Sequence, residues 1–452
     1  CESYKILVYN SKYGHSHSNF LGMIADTLAE AGHNVTSLIP IMDATVRDGT
    51  EKSHKIYVEP DPVIKKGSMG PMLGRSFSTT CKKVIAEPGL IERLRDEKFD
   101  VYISENFDVC GIGLSEAIKA KAVIGTSASA IFAQQFQEFG VEPAFSYRPF
   151  AFTSHLDVHS FFSRLRNIYG AWMGQAAFYF SRRSVNQALK EAFGPDYPTI
   201  AEQSANVAYV FTNSEPLLDF AAPTTARVVD IPGIGAKNPK ALDEYWEGVM
   251  TRRSKVVLLS FGSVAKSVTI PEDMRMGIVR YENPDDDFIK EHASNLPHLV
   301  LTKWMPQVDI LSHPNLALFI THGGMGSTQE TALRGVPGIF IPVFGDQPRN
   351  AGMMEYNGFG KVFNKFDLVN DEKFAAVIRE VLEDKRYREN AQRISKMLAR
   401  KPFSSKEQLI KTVEFAAEFG PSSALRPQSI DMSFIEYHNL DIVLFIIIVL
   451  AA

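Results

Sequence analysis

Short apolar runs alternate with stretches of helical periodicity along most of this chain. Lys5–Tyr9 (KILVY) is an apolar run closed by Asn10, which predicts a strand. After a polar loop, Phe20, Ile24 and Leu28 recur every four residues and Ala31-Gly32 closes the pattern, which predicts a helix. Val35–Ile39 is the next strand, and strand, helix and strand at this spacing begin a parallel α/β sheet. The pattern continues with a strand at Phe99–Ile103, a helix near Gly111–Lys119, and strands at Ala122–Gly125 and Val207–Phe211.

A second sheet follows. Residues 221–240, with Pro223, Pro232, Gly233, Gly235 and Pro239, read as a linker, and Lys255–Phe261 (KVVLLSF) opens the new strands. Leu316–Thr321 is a buried strand. His322-Gly323-Gly324 turns the chain, Gly326 and Ser327 open a helix, and Gly335 ends it before Pro337. Strands at Gly338–Val343 and Gly360–Phe363 and helices at 371–383, 386–398 and 404–419 complete the second domain. The expected class is α/β with an N-terminal domain over 1–222, a linker over 223–240 and a C-terminal domain over 241–420. No repeat of solenoid length interrupts this order. Between Ser263 and Gly277 there is little room for a crossover helix before a strand at Ile278–Tyr281, because a parallel crossover needs about a dozen residues.

Two apolar stretches stand apart. Phe161, Leu165, Tyr169, Trp172, Ala176 and Phe180 follow helical spacing, with Arg164, Arg166, Arg182 and Arg183 nearby. That suits an interfacial membrane helix or a core helix of the first domain. Ile442–Ala452 is uncharged and apolar throughout. It is too short for a span of about 20 residues, so it is a truncated membrane anchor after a juxtamembrane segment at 421–441, or a buried strand.

Composition narrows the partners. The 48 basic and 52 acidic side chains give a net charge of −4, which argues against nucleic acid. Cys1, Cys81 and Cys110 lack metal-site spacing, and buried free thiols are favoured over a Cys81–Cys110 disulfide. Asn34-Val35-Thr36 is a glycosylation sequon entering a strand, where burial would oppose modification. Asp285-Asp286-Asp287 follows Asn283-Pro284 and reads as solvated charge rather than a metal site.

The chemistry gathers at two edges. In parallel sheets ligands bind beyond the C-terminal ends of strands. There the glycine turn and the new helix favour an anion, as a nucleotide diphosphate would require. His322 adds a donor, Gly324 and Ser327 lie at the turn, and Glu330 is placed to accept from ribose hydroxyls. Trp304 offers a flat face for a base, Gln307 a polar contact, and Asp346-Gln347 suit a polyhydroxylated sugar. Beyond the first strand lie His15 and His17, and beyond Phe99–Ile103 lie Glu105 and Asp108. A histidine with a carboxylate can take a proton from a hydroxyl near neutral pH.

WMPQ at Trp304, HPNLALFITHGG, Glu330 and PVFGDQ closely resemble the signature of UDP-glycosyltransferases, specifically the animal UDP-glucuronosyltransferases. The resemblance implies two Rossmann-like domains facing a cleft, the GT-B arrangement, with the acceptor on the first domain and a UDP-sugar on the second. Ser16-His17 matches the Ser-His pair that carries the family's base. Glu105 stands where the family has an aspartate partner, with Asp108 as the alternative, and Gly262-Ser263 resembles its phosphate-contacting FGS. The resemblance further implies transfer of glucuronic acid, or glucose, from UDP-glucuronic acid or UDP-glucose to a small lipophilic acceptor, with inversion and without metal or cofactor. It implies a lumenal enzyme of the endoplasmic reticulum membrane that conjugates foreign compounds. A glucuronate carboxylate would want a cation, for which Arg349 or Arg75 can be named although no motif marks either. The family carries a full helix after Ser263, and this chain is shorter there by roughly three turns. A second reading follows, a silent member that pairs with active enzymes in a homo- or hetero-oligomer.

Overall fold

Among the described residues seven strands lie side by side in one parallel sheet of order β3-β2-β1-β4-β5-β6-β7. They are β1 (Lys5–Tyr9), β2 (Asn34–Pro40), β3 (His54–Val58), β4 (Val101–Glu105), β5 (Ala122–Ser127), β6 (Tyr209–Thr212) and β7 (Val228–Asp230). Ile6 pairs with Val35 on one side and Val101 on the other. The strand order reverses at β1, so the crevice beyond the C-terminal ends of β1 and β4 is a topological switch point. The computed structural model describes residues 3–62, 64, 73–131, 133–236, 238–262, 300, 302 and 304–451.

The helices of this half are α1 (His15–Glu30), α2 (Leu73–Ala86), α3 (Leu90–Asp96), α4 (Val109–Gly113), α5 (Ser115–Ile118), α6 (Ala133–Phe139), α7 (Phe161–Phe193) and α8 (Ile200–Ala205). The apolar face of α1, with Phe20, Leu21, Ile24 and Leu28, packs on Ile6, Val8, Val101 and Ile103. The helix begins at His15, earlier than its apolar period reveals, because its first residues line the cleft and only Ser18 among them is buried. The helix expected near Gly111–Lys119 is two pieces, α4 and α5, joined at Leu114.

The second sheet runs β11-β10-β9-β8, again parallel, from β8 (Val256–Ser260), β9 (Leu316–Thr321), β10 (Gly338–Phe340) and β11 (Gly360–Val362). Around it lie α9 (Glu244–Thr251), α10 (Gln307–Leu311), α11 (Met325–Arg334), α12 (Gln347–Tyr356), α13 (Asp371–Glu383) and α14 (Lys385–Ala399). The turn from α11 to β10 uses Gly335 in the left-handed region, as the Gly-Val-Pro sequence predicts.

Several expectations are corrected. Part of the expected linker is β7, which closes the first sheet. The last of the three closing helices, α15 (Ser405–Phe419), returns to the first domain, where Leu409, Val413, Ala416 and Ala417 complete the core around Ile6, Val8 and Ile103. The stripe on α7 is not core: Phe161, Leu165, Tyr169, Trp172 and Phe180 are all exposed, while Asn167 is buried and bonds the backbone of Phe145, Arg148 and Phe150. Cys81 on α2 and Cys110 on α4 are joined in a disulfide, not free. Asn34 is exposed at the entry to β2, so burial does not shield it.

The tail holds α16 (Phe434–Tyr437) and α17 (Leu440–Ala451), so Ile442–Ala451 is helical rather than a strand. The apolar side chains from Ile442 to Leu450 are exposed. Among the described residues no helix is long and apolar enough to cross a membrane. Ser263, the crossover at 263–277, the strand at 278–281 and Asp285–Asp287 lie outside the described residues.

Candidate active site

At the switch point β1 and β4 bring His17 and Glu105 together. Glu105 ends β4 and is buried, and its Oε1 lies 2.7 Å from His17 Nδ1. The same oxygen accepts the Ala128 backbone N–H at 3.1 Å. The other, Oε2, accepts the Tyr13 hydroxyl at 2.6 Å. Burial would raise the Glu105 carboxyl, but the charge and hydrogen bond of His17 and the Tyr13 bond hold it below the ordinary carboxylate value. Burial would likewise lower His17, yet the Glu105 charge and bond outweigh it and raise the imidazole above 6.5. The arrangement is a base whose partner stays ionised.

The runner-up residues make other contacts. Asp108 caps α4 by accepting the Cys110 N–H at 3.1 Å, and burial pushes its carboxyl up to about 7. His15 is lowered by partial burial and by Arg47. Around His17 stand aromatic rings: Tyr13 at 4.6 Å and Phe107 at 5.3 Å between centroids, with Phe77 and Phe178 against these two. A small cavity between the domains is lined by Ile131, Phe136, Phe145 and Phe150, and reaches Asp346 and Arg349 of the second domain.

Across the cleft the glycine turn has the geometry its sequence requires. Gly323 has φ +81° and Gly262 has φ +71°, both left-handed. The His322 ring sits between Gly262 and Gly324: a Cβ on either would come within 2.7 Å or 2.6 Å of it. Gly324 occupies the N-cap of α11, so the first-turn N–H groups at Met325, Gly326 and Ser327 point out of the helix. Gln307 Nε2 donates to Glu330 Oε2 at 2.7 Å and approaches Ser327 Oγ at 3.4 Å, which gathers three of the expected residues. Trp304 is 67% exposed, and the Arg47 guanidinium of the first domain lies 5.2 Å from its ring centroid. That arginine is delivered by a loop that crosses α1 where Gly22 and Gly49 meet with no room for a Cβ on either.

Asp346 stands at the N-cap of α12 and accepts from Asn350 at 2.9 Å. Burial raises its carboxyl above the ordinary value, and it lines a cavity together with Ser129 and Ala130 of the first domain, so the two edges meet here. Gln347 is buried, and its side-chain oxygen accepts the N–H groups of Val343 and Phe344. It therefore shapes the loop that presents Asp346. Arg349 is not a free cation: it pairs with Asp219 and donates to the Pro149 carbonyl at 3.2 Å. Arg148 reaches the same aspartate at 3.4 Å, so Asp219 holds the two domains together.

Residues 72–452 match the family described as UDP-glucoronosyl and UDP-glucosyl transferase. The chain belongs to that family. It is 28% identical to the putative UDP-glucuronosyltransferase ugt-48 of Caenorhabditis elegans, over 98% of this chain and 91% of the relative. It is 27% identical to UDP-glucuronosyltransferase 1A9 of Mus musculus, over 96% and 87%. Among solved structures, the glycosyltransferase of kitacinnamycin superposes with a TM-score of 0.64 at 16% identity, covering 93% of this chain and all of that one. Os79 of O. sativa in complex with UDP gives 0.63 at 18%, covering 91% and 99%. These likenesses establish the GT-B fold, and family membership establishes sugar transfer from a UDP-sugar to an acceptor.

In this UDP-glycosyltransferase the sequence left three contributors unnamed. Tyr13 lies in the polar loop after the first strand, and Phe107 in the loop after Phe99–Ile103. Arg47 lies in a polar loop with no motif of its own.

Proposed function

We infer that this UDP-glycosyltransferase moves glucuronic acid, or glucose, from its UDP donor to the hydroxyl of a small lipophilic acceptor. His17 Nε2 takes the hydroxyl proton. The freed oxygen bonds to the anomeric carbon from the face opposite the diphosphate, and the bond to the diphosphate breaks with its electron pair leaving on UDP. The configuration inverts. Glu105 holds the imidazole and stabilises the imidazolium. The N-terminus of α11, His322 and Ser263 meet the charge on the departing diphosphate, Glu330 and Gln307 the ribose, Trp304 the base, and Asp346 and Gln347 the sugar. The step as written takes no metal or cofactor. The observation that carries this reading is the 2.7 Å contact of His17 and Glu105 at the switch point, opposite the glycine turn. The aromatic rings of Tyr13, Phe77, Phe107 and Phe178 around His17 support a lipophilic acceptor.

The Cys81–Cys110 bond suits an oxidising lumen, and the exposed apolar faces of α17 and α7 suit contact with a bilayer. Both support a place at the endoplasmic reticulum membrane with the catalytic domains lumenal. In sealed microsomes the domains should then resist added protease until detergent is present; digestion without detergent overturns that placement.

The chemical reading is tested by His17→Ala. Turnover of a phenol with either UDP-sugar should fall about 10²–10⁴-fold with UDP affinity unchanged. Unimpaired turnover would reject His17 as the base.

A further inference from the structure

Glu105 carries its carboxylate one methylene further from the backbone than an aspartate would. A longer side chain has more rotamer freedom to lose before it can face an imidazole squarely. Three donors restrain it. Oε1 receives the Ala128 N–H and faces His17 Nδ1, and Oε2 receives the Tyr13 hydroxyl. The phenol oxygen also lies 2.7 Å from His17 Nδ1, so the three side chains close a triangle.

The direction of each bond in the triangle follows from the phenol. Burial and the neighbouring Glu105 raise the Tyr13 hydroxyl well above its ordinary value, so it keeps its proton and gives it to Oε2. Its oxygen is then left to accept. His17 Nδ1 consequently faces two acceptors, which fixes its proton on Nδ1 and leaves Nε2 as the bare nitrogen. Tyr13 is itself held, being buried with Phe77 edge-on at 5.2 Å and Phe107 stacked at 5.8 Å.

We propose that Tyr13 is a positioning residue of the transfer reaction, whose hydroxyl locks the long Glu105 carboxylate and thereby the His17 tautomer that accepts the proton. Tyr13 and Glu105 then work as a matched pair. The proposal rests on His17 being the base.

Tyr13→Phe keeps the ring and removes only the hydroxyl. It should lower kcat about 10- to 100-fold, the size expected for a hydrogen bond to a charged group, with KM for the UDP-sugar and the unfolding midpoint unchanged. Added to Glu105→Gln, the same substitution should cost less than about twofold, because the charged acceptor is already gone. Nitrogen-15 NMR of labelled histidine supplies a readout that needs no turnover. The unaltered protein should show neutral His17 protonated at Nδ1 alone, and Tyr13→Phe a mixture of tautomers. An unchanged kcat with a single tautomer in Tyr13→Phe overturns the proposal, as does an equal loss with and without Glu105→Gln. Should His17→Ala remain fully active, the base assignment fails, while the tautomer measurement still decides what Tyr13 holds.

Discussion

The two edges that face each other across the cleft are built differently. On the first domain every polar atom of Glu105 has a partner from its own domain, and His17 is fixed by contacts spanning Tyr13 to Ala128. On the second domain three of the residues expected to hold the donor, Gln307, Ser327 and Glu330, bond to one another. Gln307 lies on Glu330, and Trp304 stands largely exposed with Arg47 over one face. A proton-transfer group gains from being set before substrate arrives, since geometry lost there is lost in the transition state. A donor-binding edge can exchange its internal bonds for bonds to the ligand. The first edge is therefore rigid chemistry, and the second is a surface whose bonds are to be traded.

The bridge between the edges offers the largest way to break this contrast. Asp219 is the carboxylate that Arg148 and Arg349 share, and all three are largely buried. Asp219→Asn should lower the apparent unfolding free energy by about 3–5 kcal/mol in urea, because two guanidinium groups lose their shared charge. Transfer activity should fall with it, since Arg349 and Asp346 lie on the same helix turn. A midpoint that does not move would mean the domains are held by their other contacts.

The donor edge alone is addressed by Glu330→Ala. It should weaken UDP binding by roughly 1.5–3 kcal/mol in titration calorimetry and leave the ligand-free protein as stable as before. Unchanged affinity would remove Glu330 from the site. The smallest expected effect sharpens the first edge. Because His17 is raised above 6.5, kcat/KM should climb with pH through a midpoint above that value, as the imidazole loses its proton and becomes a base. Glu105→Gln deletes the charge that raises it and leaves burial, which lowers it, so the midpoint should move to lower pH. A midpoint that stays put would separate the pair electrostatically.

How much of this was legible follows from which signals are local. The apolar runs place His15, His17, Glu105 and Asp108 at one edge, the family resemblance singles out His17 and Glu105, and the glycine turn is legible because its spacing is continuous in sequence. Tyr13 could not be named, because a tyrosine in a loop has the same signature whether it packs on its neighbours or holds a carboxylate. The disulfide was missed because it depends on how α2 meets α4, far apart in sequence and without metal-like spacing. On α7 the period was right but silent about which side faces the core, and aromatic residues fit both answers. The return of α15 was likewise hidden, since amphipathicity tells that a face is buried and not against which sheet.

That return has a bearing on how the chain is made. The first sheet is complete once Asp230 has been synthesised, yet Leu409 and Val413 still belong between its strands and solvent. An emerging chain must therefore carry an unsealed apolar face while nearly two hundred further residues are added. Contacts this distant in sequence form late and slowly, and an uncovered face of this kind is what chaperones recognise. A fragment ending near residue 230 should consequently aggregate more readily than the whole chain, and supplying α15 as a separate peptide should rescue it.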